Sequence, residues 1–138
     1  MQTGDADPQG KVHGFVPAGS SEERTIPLEV AFKGDDELLY GVTSEDDGRG
    51  ALAAVLPFQA FGALGMARSE YEANSASSQF FWLLFDSDLT PAGKNMLDGR
   101  YTCFGYTVQN SDLLKDVKEG DVIKSAKVSK GLQFLVNP

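Results

Sequence analysis

Apolar and polar positions alternate only over short distances in this chain. Ile26–Phe32 (IPLEVAF) alternates enough to predict a strand, and Glu37–Val42 predicts another after the Gly34-Asp35-Asp36 turn. Leu64–Ala67 reads as a buried strand. Gln79–Leu84 and Thr102–Val108 are the strongest strand candidates, rich in aromatic and β-branched residues that suit a half-buried pleated surface. Val122–Val128 reads as a last strand, although Val122, Ser125 and Lys127 do not keep a clean two-residue period. One stretch has helical spacing. Asn110–Val117 offers Asn110 or Ser111 as cap, puts Leu113, Leu114 and Val117 on one face, and is followed by Gly120 as a stop. Gly4–Gly19, the acidic Ser44–Gly50 and the polar Glu70–Ser78 read as loops, with Ser44–Gly50 an exposed turn. Pro57 argues against a long helix over the apolar Ala51–Phe61. No internal repeat is visible. The pattern predicts a mainly β domain with one short helix, and by itself leaves barrel and sandwich both open.

Bulk properties narrow the class. A length of 138 residues corresponds to one domain, and 41% hydrophobic with 10% aromatic residues can build an ordinary globular core. The formal net charge of −8, with its twelve basic residues scattered, argues against nucleic acid as a partner, because that needs clustered Lys and Arg. No apolar run approaches the roughly 20 residues that span a bilayer, so no membrane-spanning helix is expected. Met1–Gly10 has neither the basic region nor the apolar stretch of a targeting segment. Cys103 is the one cysteine and cannot form an intramolecular disulfide; in a strand-like block it reads as a small buried hydrophobe.

Reactive side chains are sparse. His13 is the one histidine and lies in a Gly-rich stretch, where a solvated role outweighs a catalytic one. With one His and one Cys, no zinc site is expected. Asp5–Gly10 begins like a calcium loop, but Val16 stands at the position that needs Glu. Ser44–Gly50 reads as a solvated acidic turn rather than a calcium site. Gly93-Lys94-Asn95 lacks the upstream glycine and the hydroxyl of a phosphate loop. No cofactor and no metal are expected.

Two aromatic blocks, Gln79–Leu84 and Tyr101–Tyr106, flank a polar connection containing Pro91, Gly93 and Asp98-Gly99. They read either as plain core or as the wall of a pocket for an apolar ring. Ser78-Gln79-Phe80-Phe81, then Leu97-Asp98-Gly99-Arg100, then Phe104-Gly105 stand in one order. This arrangement resembles the cyclophilins, the cyclosporin-binding peptidyl-prolyl isomerases. Gln2-Thr3-Gly4-Asp5 is similar to their Q-G-G-D segment, Leu64-Gly65-Met66-Ala67 to their L-S-M-A strand, and Asp112–Val117 to the short helix before the last strand. The resemblance runs across nearly the whole chain. The stretches LTPAGKNMLDGRY and LPFQAFGALGMA further resemble the multidomain cyclophilins of the chloroplast thylakoid lumen.

The resemblance implies a cyclophilin-like antiparallel barrel with a short helix, N-terminally incomplete, residues 1–138 being the C-terminal portion of such a domain. It implies a rotamase that isomerises X–Pro bonds of proline-containing polypeptides, photosystem II proteins among them, in the thylakoid lumen. The alternative is a catalytically inactive peptide-binding or assembly module that kept the pocket. Its implied substrate-binding residues are Gln2, Met66, Ala67, Arg68, Phe81, Met96, Leu97 and Tyr101. Phe81 is expected to face the proline, and Phe80 or Phe104 the core. The family's catalytic arginine precedes the segment matched by Gln2–Asp5, so the catalytic residue is left unassigned. Three positions depart from the common pattern: Met96 stands where many members have Trp, Tyr101 where His is common, and Arg68 where Asn is common.

Overall fold

The computed structural model describes residues 1–6, 14–50, 53–86 and 95–136. Its centre is a four-stranded antiparallel sheet in the order β1-β5-β4-β6, formed by β1 (Gln2–Thr3), β5 (Phe80–Trp82), β4 (Ala63–Met66) and β6 (Cys103–Tyr106). A separate two-stranded ladder joins β2 (Glu29–Val30) to β3 (Leu39–Tyr40). Gln2 pairs with Phe81, and Gly65 pairs with Phe81 from the other side. Between β4 and β6 the register slips: Gly65 faces Cys103, Leu64 faces Gly105, and Phe104 has no partner. A skipped residue of this kind sharpens the local twist.

Strand alternation separates two faces of the sheet. On one face Phe58, Ala63, Leu83 and Cys103 form a buried cluster, against which Phe81, Leu97, Tyr101 and Tyr106 pack. On the other, Met66 lies opposite Phe80 and Leu64 opposite Trp82. There Phe80 meets Trp82 edge-on at 5.0 Å and Phe104 at 6.3 Å. A second core, made of Leu28, Val30, Phe32 and Leu39, sits under the β2–β3 ladder. The two parts are tied by a bridge from Ile26 to Ala76 and by the Glu29 amide donating to Thr102 Oγ1 at 2.8 Å, while the Phe32–Ala54 bridge lies within the ladder core.

Several expectations are corrected. The antiparallel barrel does not close: the sheet ends at β1 and β6, which do not pair with each other. Strands of two to four residues and a detached β2–β3 ladder cannot supply the continuous hydrogen-bonded ring that closure needs. Val122–Val128 joins no ladder, and its side chains are exposed throughout. The expected helix is a 3-10 helix, η1 (Ser111–Lys115), with Asn110 in the left-handed region at φ 53° and no side-chain cap. It buries no residue, so no packed face holds a longer α-helix together. A second 3-10 turn, η2 (Leu132–Phe134), lies beyond the last element the sequence predicts. Phe80 and Phe104 do not face the core; Phe81 does. The expectations for His13, Pro91, Gly93 and Lys94, and most of Asp5–Gly10, fall outside the described residues.

Candidate functional site

The turn Asn95–Tyr101 is built around one carboxylate. Asp98 Oδ1 accepts from the Phe58 amide at 2.7 Å and Oδ2 from the Asn95 amide at 3.0 Å. Asn95, itself buried, donates from Nδ2 to the Phe58 carbonyl at 2.8 Å and accepts the Leu97 amide at 2.9 Å. These bonds lock the turn to the loop carrying the fully buried Phe58, and so fix Leu97 and Tyr101 over the sheet. Phe81 is sandwiched there. Its ring stacks on Phe58 at 5.5 Å and meets Tyr101 edge-on at 5.7 Å. Gly65 makes room for this stack, since a Cβ there would come within 2.5 Å of the Phe81 ring.

Above Phe81 opens a cleft of about 390 Å³. Gln2, Ala67, Arg68, Phe81, Leu97 and Tyr101 line it, so six of the residues implied by sequence are brought together. The Gln2 carboxamide donates to Gln79 Oε1 at 2.6 Å, and the Ala67 amide donates to the Gln79 carbonyl at 3.0 Å. The Arg68 guanidinium lies 5.0 Å from the Tyr101 ring centre. It is already engaged: Nε donates to the Arg100 carbonyl at 2.7 Å, and Nη1 to the carbonyls of Ser69 and Glu70.

Met66 and Met96 are placed elsewhere. Met66 pairs with Phe80 on the far face of the sheet. Met96 is 78% exposed and lines a neighbouring groove of about 410 Å³ that shares Arg68, Leu97 and Tyr101 with the cleft. Sequence reasoning missed Met1 and the run Trp82–Phe85, which line the cleft's other end. The sequence carried no signal for them, because the pairing of Gln2 with Phe81 is what sets Met1 opposite Trp82; their backbones bond at 2.8 and 2.9 Å.

Beneath the cleft, burial pushes the Cys103 thiol up from its ordinary value. It pushes the Tyr106 phenol up as well, while the phenol donates to the Pro57 carbonyl at 2.9 Å. Both are core groups held neutral. Among the described residues no three His, Cys, Asp or Glu side chains gather as a metal would require. The described cleft therefore offers an apolar floor with polar groups at its edge.

Comparison with known proteins matches residues 1–134 to the cyclophilin type peptidyl-prolyl cis-trans isomerase/CLD family. Among similar proteins is the chloroplastic peptidyl-prolyl cis-trans isomerase CYP38 of Arabidopsis thaliana, 49% identical over 138 residues, covering 100% of this chain and 31% of the relative. A second is sll0408 of Synechocystis sp., provisionally named a thylakoid lumen peptidyl-prolyl cis-trans isomerase, 48% identical over 131 residues, covering 95% of this chain and 35% of the relative. A third is the chloroplastic CYP37 of Arabidopsis thaliana, 40% identical over 124 residues, covering 88% of this chain and 26% of the relative. The chain thus spans about a third of the length of the curated relatives it matches.

Proposed function

This chain belongs to the cyclophilin-type peptidyl-prolyl cis-trans isomerases, and from that premise we propose that it takes proline-containing segments of other polypeptides into the cleft over Phe81 and turns their X–Pro bonds. The observation that carries this reading is the convergence of Phe81, Leu97 and Tyr101 on one apolar floor, with Gln2 and Ala67 at its edge. Rotation about an amide bond must cross a barrier of roughly 18–20 kcal/mol. A catalyst of that rotation needs no nucleophile. It needs a seat for the pyrrolidine ring, groups that hold the flanking backbone, and interactions stronger for the twisted amide than for the planar one. Phe81 and Leu97 suit the ring, with the Tyr101 edge beside it. Gln2 and the Ala67 backbone suit the peptide, Met96 its exit, and Met66 supports the strand from behind. A thylakoid-lumen setting is supported by the name of the Synechocystis relative, and a chloroplast one by those of the two Arabidopsis relatives. Photosynthetic proteins, photosystem II proteins among them, are the substrates proposed there.

One observation favours a second reading, a binding module without catalysis. The Arg68 guanidinium beside the cleft is spent on three backbone carbonyls, so it is poorly placed to favour a twisted amide. The experiment pairs calorimetric binding of a blocked Ala-Pro peptide, and of its Ala-Ala counterpart, with an isomerisation assay. Seating the ring should favour the proline peptide by about tenfold or more, given about 1.5–3 kcal/mol for a buried apolar side chain. Accelerated isomerisation supports the enzyme. Proline-selective binding without acceleration decides for the module, and equal affinity for both peptides overturns both readings.

A further inference from the structure

The cleft over Phe81 does not end at Tyr101. It continues past Arg68, Leu97 and Tyr101 into the second groove, whose far wall is the acidic turn Thr43–Asp46 with Glu70 and Tyr71. This wall is fastened in place. The buried Ser44 donates its amide to the Gly99 carbonyl at 2.9 Å. Glu45 takes both its bonds from Arg100 Nη2, at 2.7 and 2.8 Å. Asp46 Oδ2 accepts from Thr43 Oγ1 at 2.7 Å. Three carboxylates, Glu45, Asp46 and Glu70, thus share the groove with two guanidiniums, Arg68 and Arg100. Glu45 is balanced by Arg100, and Arg68 points its charge at carbonyls and the Tyr101 ring. The five charges sum to one net negative, and the two carboxylates in the groove that make no direct ion pair among the described residues are Asp46 and Glu70. Beside them stands Tyr71, 92% exposed, whose open face can carry a cation.

We propose that this groove receives the residues flanking the substrate's proline and selects polypeptides that carry Lys or Arg there. The inference rests on the proline cleft proposed above, because a polypeptide seated over Phe81 must leave along one of its open ends. It assigns to Asp46, Glu70 and Tyr71 the choice among proline-containing segments. A lysine or arginine in the groove meets carboxylates and an aromatic face, with Met96 against its aliphatic stem. A glutamate there meets like charge, on a protein whose net charge is already −8.

The test uses three blocked peptides with one Ala-Pro bond, flanked on both sides by lysine, by glutamine or by glutamate, and measures their affinities at low and high salt. The lysine peptide should bind about three- to tenfold tighter than the glutamate peptide at low salt, and the difference should shrink as salt screens it. Glu70→Lys should narrow or invert that ratio, and Asp46→Asn should narrow it. The reading is a ratio of affinities within one preparation, so partial unfolding lowers both alike. Binding of all three peptides without a charge preference overturns this inference and leaves the proline cleft standing. A preference unchanged in both variants places the selection elsewhere and overturns it too. No binding of any peptide overturns the cleft, and the groove with it.

Discussion

Cys103 belongs to the core by chemistry as well as by position. It is 8% exposed among Phe58, Ala63 and Leu83, and burial raises its ionisation above the ordinary 9.0. Tyr106, on the same strand, is raised above its ordinary 10.0 mainly by burial. Both groups lose their protons more easily in the unfolded chain than in the folded one. Between the ordinary and the raised values the unfolded state therefore holds fewer protons, and stability declines with rising pH. The contribution is whole below pH 9.0 and is lost as pH climbs through the raised values. We expect the urea midpoint to stay level up to about pH 8.5 and to fall above it. Cys103→Ala should remove the first part of that fall. A midpoint level through about pH 11 would contradict the burial of both groups. Cysteine as a small hydrophobe was legible from its strand-like neighbours. The burial it shares with Tyr106 was not, because that depends on how deeply β6 is covered.

At the scale of elements, two turns hold each other. Gly99 has φ 75°, and a Cβ built there would lie 2.0 Å from Ser44 Oγ. Only a glycine lets the acidic turn dock on the Asn95–Tyr101 turn so closely. Gly99→Ala should destabilise the protein by about 1–3 kcal/mol, from overpacking and from the left-handed backbone combined. It should also speed hydrogen exchange at the Ser44 amide, which donates to the Gly99 carbonyl. Unchanged exchange at Ser44 would show that the two turns are independent. The sequence marked Ser44–Gly50 as an exposed acidic turn. Most of it is, but Ser44 is 4% exposed, because a serine can enter a packed contact when its backbone has a partner. Asp98 was read as part of a turn motif. Its role in joining Asn95 to the Phe58 loop spans 40 positions and has no local signature.

For the whole molecule, the two core clusters raise the question of whether it unfolds in one step or two. The Ile26–Ala76 bridge, the Glu29–Thr102 bond and the Ser44–Gly99 bond all cross between the two parts. That much coupling predicts a single transition. Phe58→Ala, in the cluster under the sheet, should cost about 3–5 kcal/mol, and Leu28→Ala, under the β2–β3 ladder, about 2–5 kcal/mol. Either is a large share of the roughly 5–15 kcal/mol that holds a domain together. Each variant should shift near- and far-ultraviolet circular dichroism together. If Leu28→Ala melts one signal ahead of the other, the ladder is a separate folding unit. No helix among the described residues is long and apolar enough to cross a membrane.

The sequence by itself determined what is carried by local pattern and ordered motifs. The mainly β character, the strand centres at Ala63–Met66, Phe80–Trp82 and Cys103–Tyr106, and the family all follow from residues whose local pattern and order are legible in place. Tertiary structure alone decided which face of each strand is buried. The β4–β5 register sent Met66 and Phe80 to one side and Phe81 to the other, and a shift of one residue would have reversed them. It also decided that the sheet stays open, that Val122–Val128 finds no ladder, and that η1 coils no further than a 3-10 turn. Each of those outcomes depends on whether a distant segment arrives to pair or to cover, and a chain read one window at a time holds no record of such meetings.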